Sequence, residues 1–179
     1  MMLWQGLCKL MAKSRIVIGI DPGTAITGYG LVQELDNGEL EWITHGVVKT
    51  PSDWEEPKRL LHLFQSLNEI LSKYQVDYCA VEKLYFQKNV KTAISVSQGR
   101  GAALIAAAAS ELPVGEYTPL EIKQAVVGYG NADKHQIQQM VKVLLHLSEI
   151  PQPDDAADAL AVAICHLHTT RRNHITDHD

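Results

Sequence analysis

The amino-acid sequence predicts an α/β fold in which helices flank a five-stranded mixed sheet, with three antiparallel strands followed by two parallel ones. Three observations support this fold class. A strong hairpin signal, Asp36-Asn37-Gly38, separates two strand-like runs near the start of the chain. Helical and strand-like patterns then alternate, and three helical patterns finish the chain. With 179 residues, 46% of them apolar, the chain can bury one core, so we expect one domain.

Three strands are predicted at the start of this domain. The first covers residues 15–20, the second 28–34 and the third 40–49. A turn at residues 22–24 separates the first two strands, and the hairpin signal separates the second from the third. Because both connections are short, we expect the three strands to pair in antiparallel fashion.

The rest of the domain alternates helices and strands before it ends in helices. Apolar residues recur at helical spacing between Leu60 and Leu71, which predicts a helix that crosses from the third strand to the fourth. The predicted elements after the hairpin are helix 57–74, strand 78–81, helix 90–110, strand 113–117, and helices 119–126, 133–146 and 154–168.

Both ends of the chain differ from the domain at residues 15–168. In residues 1–14, leucines recur at helical spacing without the features of a signal peptide, so we expect a disordered extension or a short helix. Residues 169–179 lack apolar periodicity and are expected to form a flexible tail. Neither end is expected to contribute to the core.

The composition excludes several classes of protein and site. No stretch approaches the roughly 20 apolar residues of a membrane helix. The three cysteines are widely spaced and form no Cys-x-x-Cys pattern, which argues against a disulfide framework or a zinc site. His166 and His168 lie near the end of the last predicted helix, where we expect capping or surface roles rather than metal ligation. We therefore expect a soluble cytoplasmic protein with no membrane partner.

Four carboxylates lie at the end or the start of apolar runs, and they are the candidate catalytic and metal-binding residues. Asp21 ends the apolar run of the first strand, Glu82 ends that of the fourth, and Asp155 and Asp158 lie at the start of the last helix. Half-buried carboxylates repel one another unless a cation or a proton lies between them. Because Mg²⁺ prefers hard oxygen ligands, a shared magnesium site would relieve this repulsion.

The last predicted helix offers two pairs of aspartates that share one face. Asp155 and Asp158 are three residues apart, and Asp154 and Asp158 are four apart. An ordinary helix start would also explain these acids, because the helix dipole favours negative charge in the first turn. The spacing alone leaves this choice open, whereas the strand-end acids Asp21 and Glu82 favour a metal site.

Three glycines surround Asp21 in the sequence. At Gly23 we expect turn chemistry, and at Gly28 and Gly30 we expect a strand that packs against a bulky element, because glycine lacks a Cβ atom. Phosphate binding is the less favoured interpretation for each of them.

Six motifs follow one another between residues 15 and 168: Ile18-Gly19-Ile20-Asp21-Pro22-Gly23 with Thr27-Gly28-Tyr29-Gly30, Ala80-Val81-Glu82-Lys83 with Lys88-Asn89, Gln98-Gly99-Arg100-Gly101, Val114-Gly115-Glu116-Tyr117, Lys123-Gln124-Ala125-Val126-Val127-Gly128, and Asp155-Ala156-Ala157-Asp158-Ala159-Leu160-Ala161. Together with the order of elements, they resemble the ribonuclease H superfamily and, within it, the RuvC family of Holliday-junction resolvases.

The resemblance implies a ribonuclease H-like fold and a crossover junction endodeoxyribonuclease. Such an enzyme would resolve Holliday junctions by paired symmetric nicks in strands of like polarity, in recombination and DNA repair. It would use one or two Mg²⁺ ions per site, with Mn²⁺ able to substitute. The resemblance implies Asp21, Glu82, Asp155 and Asp158 as catalytic metal ligands, and the family motif selects Asp155 over Asp154. The implied partners are four-way junction DNA, a second copy of the chain, and the RuvA and RuvB branch-migration complex.

DNA binding requires cations, although the formal net charge of the chain is -5. Residues 83–142 carry seven basic and four acidic residues, a net charge of +3, so the rest of the chain carries -8. The resemblance implies that Lys88, Lys123 and Lys134 contact DNA, the last two near the active site. It also implies that Tyr85 stacks on an unpaired base.

The predicted helix 90–110 has an unusually small surface, because it contains Gly99, Gly101 and several alanines. Close packing on the sheet explains part of this composition. Small faces also let two helices approach closely, and the resemblance implies dimerisation through this helix. Two active sites would then face two strands of a junction.

Three other functions remain open at this point. Residues 18–24 also resemble the first phosphate loop of the actin, Hsp70 and sugar-kinase ATPases, but those enzymes need two such lobes and the sequence has one such loop. A nuclease-fold protein that binds branched nucleic acid without cutting it is a second alternative, although no carboxylate is missing. A third is an RNA-processing or junction nuclease of the same superfamily.

Overall fold

The computed structural model describes residues 14–83 and 90–176. Residues 1–13, 84–89 and 177–179 are therefore outside the described part of the chain, and with them the expectations for the N-terminal extension, Tyr85 and Lys88. Five strands form one sheet in the order β3-β2-β1-β4-β5. The elements are β1 Arg15–Asp21, β2 Ile26–Glu34, β3 Leu40–Lys49, α1 Glu56–Lys73, β4 Tyr78–Glu82, α2 Val90–Ala109, β5 Val114–Tyr117, α3 Pro119–Val127, α4 Lys134–Leu144 and α5 Asp154–Thr176.

The sheet is mixed, as predicted. β1 pairs with β2 and β2 with β3 in antiparallel fashion, whereas β4 pairs in parallel with both β1 and β5. The hairpin between β2 and β3 turns at Gly38, whose φ of 83° lies in the left-handed region that glycine adopts without steric cost. The chain contains one five-stranded sheet in its described part, which confirms the predicted fold class.

The sheet separates two layers of apolar packing. On one face, α5 packs against Val17, Val32 and Ala80, with α3 and α4 outside it. On the other face, α1 and α2 pack against Ile18 and Ile20. Successive residues of β1 thus face opposite layers, as the period of two in a strand requires. The carboxyl ends of β1 and β4 lie together at one edge of the sheet, between the two layers.

α5 lies unusually close to the sheet because glycines face it. A Cβ atom added at Gly19 would overlap the backbone of Ala159 and Ala163, and one added at Gly28 would overlap the carbonyl group of Asp155. These contacts confirm the expectation that the glycines of β2 pack against a bulky element. They bring the first turn of α5 beside the end of β1.

α5 continues to Thr176, beyond the predicted end of the last helix at residue 168, and the flexibility of residues 169–179 stays a prediction. Tertiary contacts hold this extension. Arg171 donates a hydrogen bond to the carbonyl oxygen of Gly38 at 3.1 Å, and Arg15 donates to the Thr170 hydroxyl at 3.3 Å. The sequence pattern missed the extension because these contacts are polar and lie far apart along the chain.

His166 also differs from its predicted surface or capping role. The side chain is 5% exposed and packs between the rings of Tyr78 and Tyr117. His168 agrees better with that role, since its Nδ1 atom lies 2.8 Å from the carbonyl oxygen of Ala125. No helix in residues 14–83 and 90–176 is long and apolar enough to span a membrane.

Candidate active site

Asp21 and Glu82 lie side by side at the carboxyl ends of two parallel strands. Ile20 of β1 is the register partner of Val81 of β4, and each carboxylate is the next residue of its strand. The two preceding residues are fully buried, so the acids stand where the apolar core meets the sheet edge. The sequence-based placement of both residues on neighbouring strands is confirmed.

The first turn of α5 brings two more carboxylates to this edge. Asp155 and Asp158 are half-buried, and the charges of both act on Asp21. Gly28, the register partner of Asp21, allows this approach because a side chain there would collide with the Asp155 carbonyl. The fold therefore groups the four acids that the sequence analysis selected.

Burial and mutual repulsion oppose ionisation of the two strand-end acids. Burial, with the neighbouring charges of Asp158 and Asp155, raises the pKa of Asp21 to about 7. Burial and the charge of Asp21 raise the pKa of Glu82 to about 7. The side chains of the two acids interact with each other, which is consistent with a proton shared between them. A proton on these acids thus lowers the repulsion between Asp21 and Glu82.

A lysine ammonium reaches the helical part of the site. Lys134, the first residue of α4, has its Nζ atom 3.1 Å from Asp158 Oδ2 and 3.1 Å from Asp154 Oδ2. Burial raises the pKa of Asp158, and the hydrogen bond with Lys134 partly offsets that rise. Desolvation lowers the pKa of Lys134, but its hydrogen bonds to Asp154 and Asp158 outweigh this effect and raise the pKa overall. Lys134 therefore lies at the site, where the sequence analysis expected it.

The chemistry of the four acids suits a hard divalent cation. Burial is the main reason that the pKa values of Asp21 and Glu82 are raised to about 7, and a divalent ion would compensate the charge of their ionised forms. In the parts of the chain that the structure describes, no three histidine, cysteine, aspartate or glutamate side chains are already arranged as a metal site. Asp158 is instead turned toward Lys134.

Lys123 lies on a different helix from Lys134, Asp155 and Asp158. It is half-buried on α3, and no hydrogen bond or ion pair joins it to any of the described residues. Its expected contact with DNA therefore remains a prediction.

The loop after Asp21 is closed by its own hydrogen bonds. The Gly23 amide donates to the Thr27 hydroxyl at 3.2 Å, and that hydroxyl donates back to the Gly23 carbonyl. Gly99 of α2 packs directly on the Gly23 backbone. The amide that a phosphate loop would offer to a nucleotide is already bonded, which disfavours the ATPase interpretation.

The contacts of Asp154 and Gln138 were not predicted from the sequence. Asp154 begins α5, as expected of an N-cap or first-turn acid, but it also pairs with Lys134 and accepts a hydrogen bond from Gln138 at 3.0 Å. Lys134 and Gln138 are four residues apart, so the sequence predicts that they share a face of α4. The contact between this face and α5 depends on tertiary packing, which no local sequence pattern indicates.

Known proteins match this chain over most of its length. The sequence model of the family described as crossover junction endodeoxyribonuclease RuvC matches residues 17–166. Relatives with that name from Syntrophomonas wolfei and Desulforamulus reducens are 54% and 56% identical, over 87% and 84% of this chain and 90% and 92% of their own lengths. The structure of Thermus thermophilus RuvC in complex with a Holliday junction substrate is similar with a TM-score of 0.85 at 33% identity, over 89% of this chain and 96% of that one.

Proposed function

Because the chain belongs to the RuvC family of crossover junction endodeoxyribonucleases, we propose that it resolves Holliday junctions by Mg²⁺-dependent hydrolysis of phosphodiester bonds. The observation that carries this proposal is the meeting of Asp21, Glu82, Asp155 and Asp158 at one edge of the sheet. A similar structure that contains a Holliday junction substrate supports the choice of DNA structure.

The four carboxylates would hold one or two Mg²⁺ ions, and Mn²⁺ can replace them. The bound metal supplies an activated water and stabilises charge on the departing oxygen. The protein's own part is to fix the ligands on rigid elements: two strand ends and one helical turn. Burial on the core side limits the access of bulk water to Asp21 and Glu82, so their interactions with a cation are stronger than on an open surface.

Lys134 would act on the DNA rather than on the metal. Its ammonium group lies at the edge of the carboxylate cluster, within 3.1 Å of Asp158. A phosphate that approached the site would meet this cation first, and the ammonium would stabilise negative charge that develops during cleavage. On the basis of the family resemblance, we propose that Lys123 and Lys88 contact the DNA strand near the site and that Tyr85 stacks on an unpaired base.

Paired nicks require two active sites, and α2 supports a homodimer. One side of α2 is buried against the sheet through Ala102, Ala103 and Ala106. On the other side, Ile94 and Ile105 are 57% and 62% exposed, and no atom lies within 4 Å of a Cβ added at Gly101. Pairing of two such helices would bury this apolar face and relate two sites by a twofold axis. In the cytoplasm, RuvA and RuvB would present the junction to this dimer.

Cleavage of defined substrates tests the proposal. The purified chain is incubated with a mobile four-way junction, a linear duplex and an RNA–DNA hybrid, each with Mg²⁺ or with EDTA. We expect paired symmetric nicks in the junction alone, and only with Mg²⁺. Cutting of the hybrid alone would identify another nuclease of the superfamily, and binding of the junction without cutting would identify a non-catalytic protein.

Asp155→Asn provides the matched variant for this experiment. The substitution removes one proposed metal ligand and conserves the size of the side chain. It should abolish cleavage while junction binding in EDTA stays within about twofold of the wild-type protein, since phosphate contacts come from cations. Full activity of this variant would remove Asp155 from the proposed ligand set.

A further inference from the structure

The Lys134 ammonium group contacts two carboxylates, Asp154 and Asp158, which differ in their surroundings. Its Nζ atom lies 3.1 Å from an oxygen of each. The Asp158 side chain is 31% exposed and belongs to the proposed metal site, whereas the Asp154 side chain is 54% exposed and is not one of the four acids of that site. Only one of the two partners of Lys134 is therefore shared with the cation.

Asp154 is held in place for this contact. Its Oδ1 atom accepts a hydrogen bond from Gln138 Nε2 at 3.0 Å, which leaves Oδ2 directed at Lys134. Gln138 is 8% exposed, so its amide group has few alternative positions. The Asp133 side chain also caps α4 by accepting from the Gln136 amide at 2.9 Å, which fixes the helix start that carries Lys134.

The Lys134 ammonium and a divalent ion bound at the proposed site would compete for Asp158. An oxygen that ligates a divalent ion is less available to an ammonium group, so occupation of the metal site weakens the Lys134–Asp158 pair. Lys134 then keeps its position only if a second acceptor lies within reach. Asp154 is the acceptor that the fold provides for it.

We propose that Asp154 is a positioning residue: it retains the Lys134 ammonium at the edge of the active site and draws it from Asp158 when a metal ion binds there. This inference rests on the proposed metal site. Without Asp154, the ammonium has Asp158 as its sole carboxylate partner among the described residues and opposes metal binding more strongly. A helix-start acid that acted through its charge alone would have no such dependence on Lys134.

A double-mutant cycle in the absence of DNA separates these two roles. Metal-free protein is titrated with Mn²⁺, and the free ion is followed by its electron paramagnetic resonance signal. The variants are Asp154→Asn, Lys134→Gln and the double variant, with Asp154→Glu as the conservative control. Asp154→Asn conserves an acceptor for Gln138 and removes the charge that faces Lys134. Circular dichroism verifies that each variant is folded.

We expect Asp154→Asn to weaken Mn²⁺ binding about threefold to fivefold, which is the range of an exposed ion pair. In the Lys134→Gln background the same substitution should change binding by less than about twofold, and Asp154→Glu should restore most of the affinity. Equal losses in both backgrounds would overturn the positioning role and leave the metal site intact. Absence of Mn²⁺ binding by the wild-type protein would overturn the metal site and the inference together.

Discussion

The ionised carboxylates of Asp21 and Glu82 are unfavourable at the sheet edge unless a proton or a cation compensates their charge. Each follows a fully buried residue, and burial is the largest cause of the raised pKa of both. Replacing a buried charge with a neutral isostere often stabilises a protein, because the free-energy cost of desolvating the charge exceeds its attraction to the groups around it. Two such acids side by side are therefore expected to have been retained for their chemistry, at a cost to stability.

His166 is a buried titratable side chain outside the site, and it predicts acid sensitivity. Burial, with the nearby charge of Arg15, lowers its pKa to about 4 from an ordinary value of 6.5. Between these values the unfolded chain binds a proton at this histidine that the folded protein does not, so the contribution of His166 to the free energy of unfolding falls as the pH decreases from 6.5 to 4. The full difference amounts to about 3 kcal/mol.

Urea unfolding of the wild-type protein and His166→Phe across this pH range measures the effect. The phenyl ring can pack between Tyr78 and Tyr117 and cannot bind a proton. The wild-type protein should lose more stability than the variant as the pH falls, by up to about 3 kcal/mol. Parallel pH profiles for the two proteins would show that His166 does not titrate as expected.

The close contact between β2 and α5 predicts that Gly28 is needed for the geometry of the site. Gly28→Ala would place a Cβ atom on the Asp155 carbonyl group, and relief of that overlap would shift the start of α5. We expect a destabilisation of about 1 to 3 kcal/mol and a loss of junction cleavage. Thermal unfolding and the cleavage assay test the two effects.

Gly101→Ala is the control for thermal unfolding alone: a Cβ atom there meets nothing within 4 Å, but Gly101 lies on the α2 face proposed for the dimer, so its cleavage is not compared. An alanine in the middle of α2 should leave the stability unchanged or raise it by up to about 1 kcal/mol. If Gly28→Ala unfolded and cleaved like the wild-type protein, the tight packing of α5 on β2 would not position the site.

Elements with strong periodicity were predictable from the sequence, and contacts between elements were less so. β3 has its predicted bounds, and the parallel pair of β1 and β4 brings Asp21 and Glu82 together as expected. The continuation of α5 to Thr176 was not readable, because contacts with Arg15 and Gly38 hold it. The pairing of Lys134 with Asp154 was missed for the same reason: the two residues meet only after α4 packs on α5.

For the whole molecule, the paired acids predict that stability and metal binding depend on pH together. In the folded protein, Asp21 and Glu82 bind protons up to about pH 7, whereas their ordinary pKa values are 3.8 and 4.5. At these two acids the folded state therefore holds more protons than the unfolded chain between pH 4 and 7, so their contribution to the stability of the metal-free protein falls as the pH rises through this range. A bound divalent ion would remove that loss, since it compensates the ionised acids.

Thermal unfolding with and without Mg²⁺ at pH 5.5 and pH 8 measures this linkage. We expect Mg²⁺ to raise the melting temperature by several degrees at pH 8 and by much less at pH 5.5, where protons compete for the ligands. Glu82→Gln should reduce the difference between the two pH values. An equal shift at both would indicate that the metal does not bind these acids.

At the scale of the whole molecule, the proposed homodimer depends on the exposed face of α2, and a substitution at Ile105 tests this dependence. A glutamate at this position would place a charge at the centre of the proposed twofold contact, where its desolvation opposes association. Sedimentation velocity should therefore detect a monomer for Ile105→Glu and a dimer for the wild-type protein. Val143→Glu is the matched control, because Val143 on α4 is also 62% exposed and lies outside the α2 face.

The same variants connect assembly to the pattern of nicks. On a supercoiled plasmid with a cruciform, a dimer introduces both nicks within one binding event and yields linear DNA, whereas a monomer releases a nicked circle. Ile105→Glu should therefore convert linear product to nicked circles while its thermal stability stays near that of Val143→Glu, because both side chains are exposed in the monomer. A dimeric Ile105→Glu that still produced linear DNA would place the contact between subunits on another face.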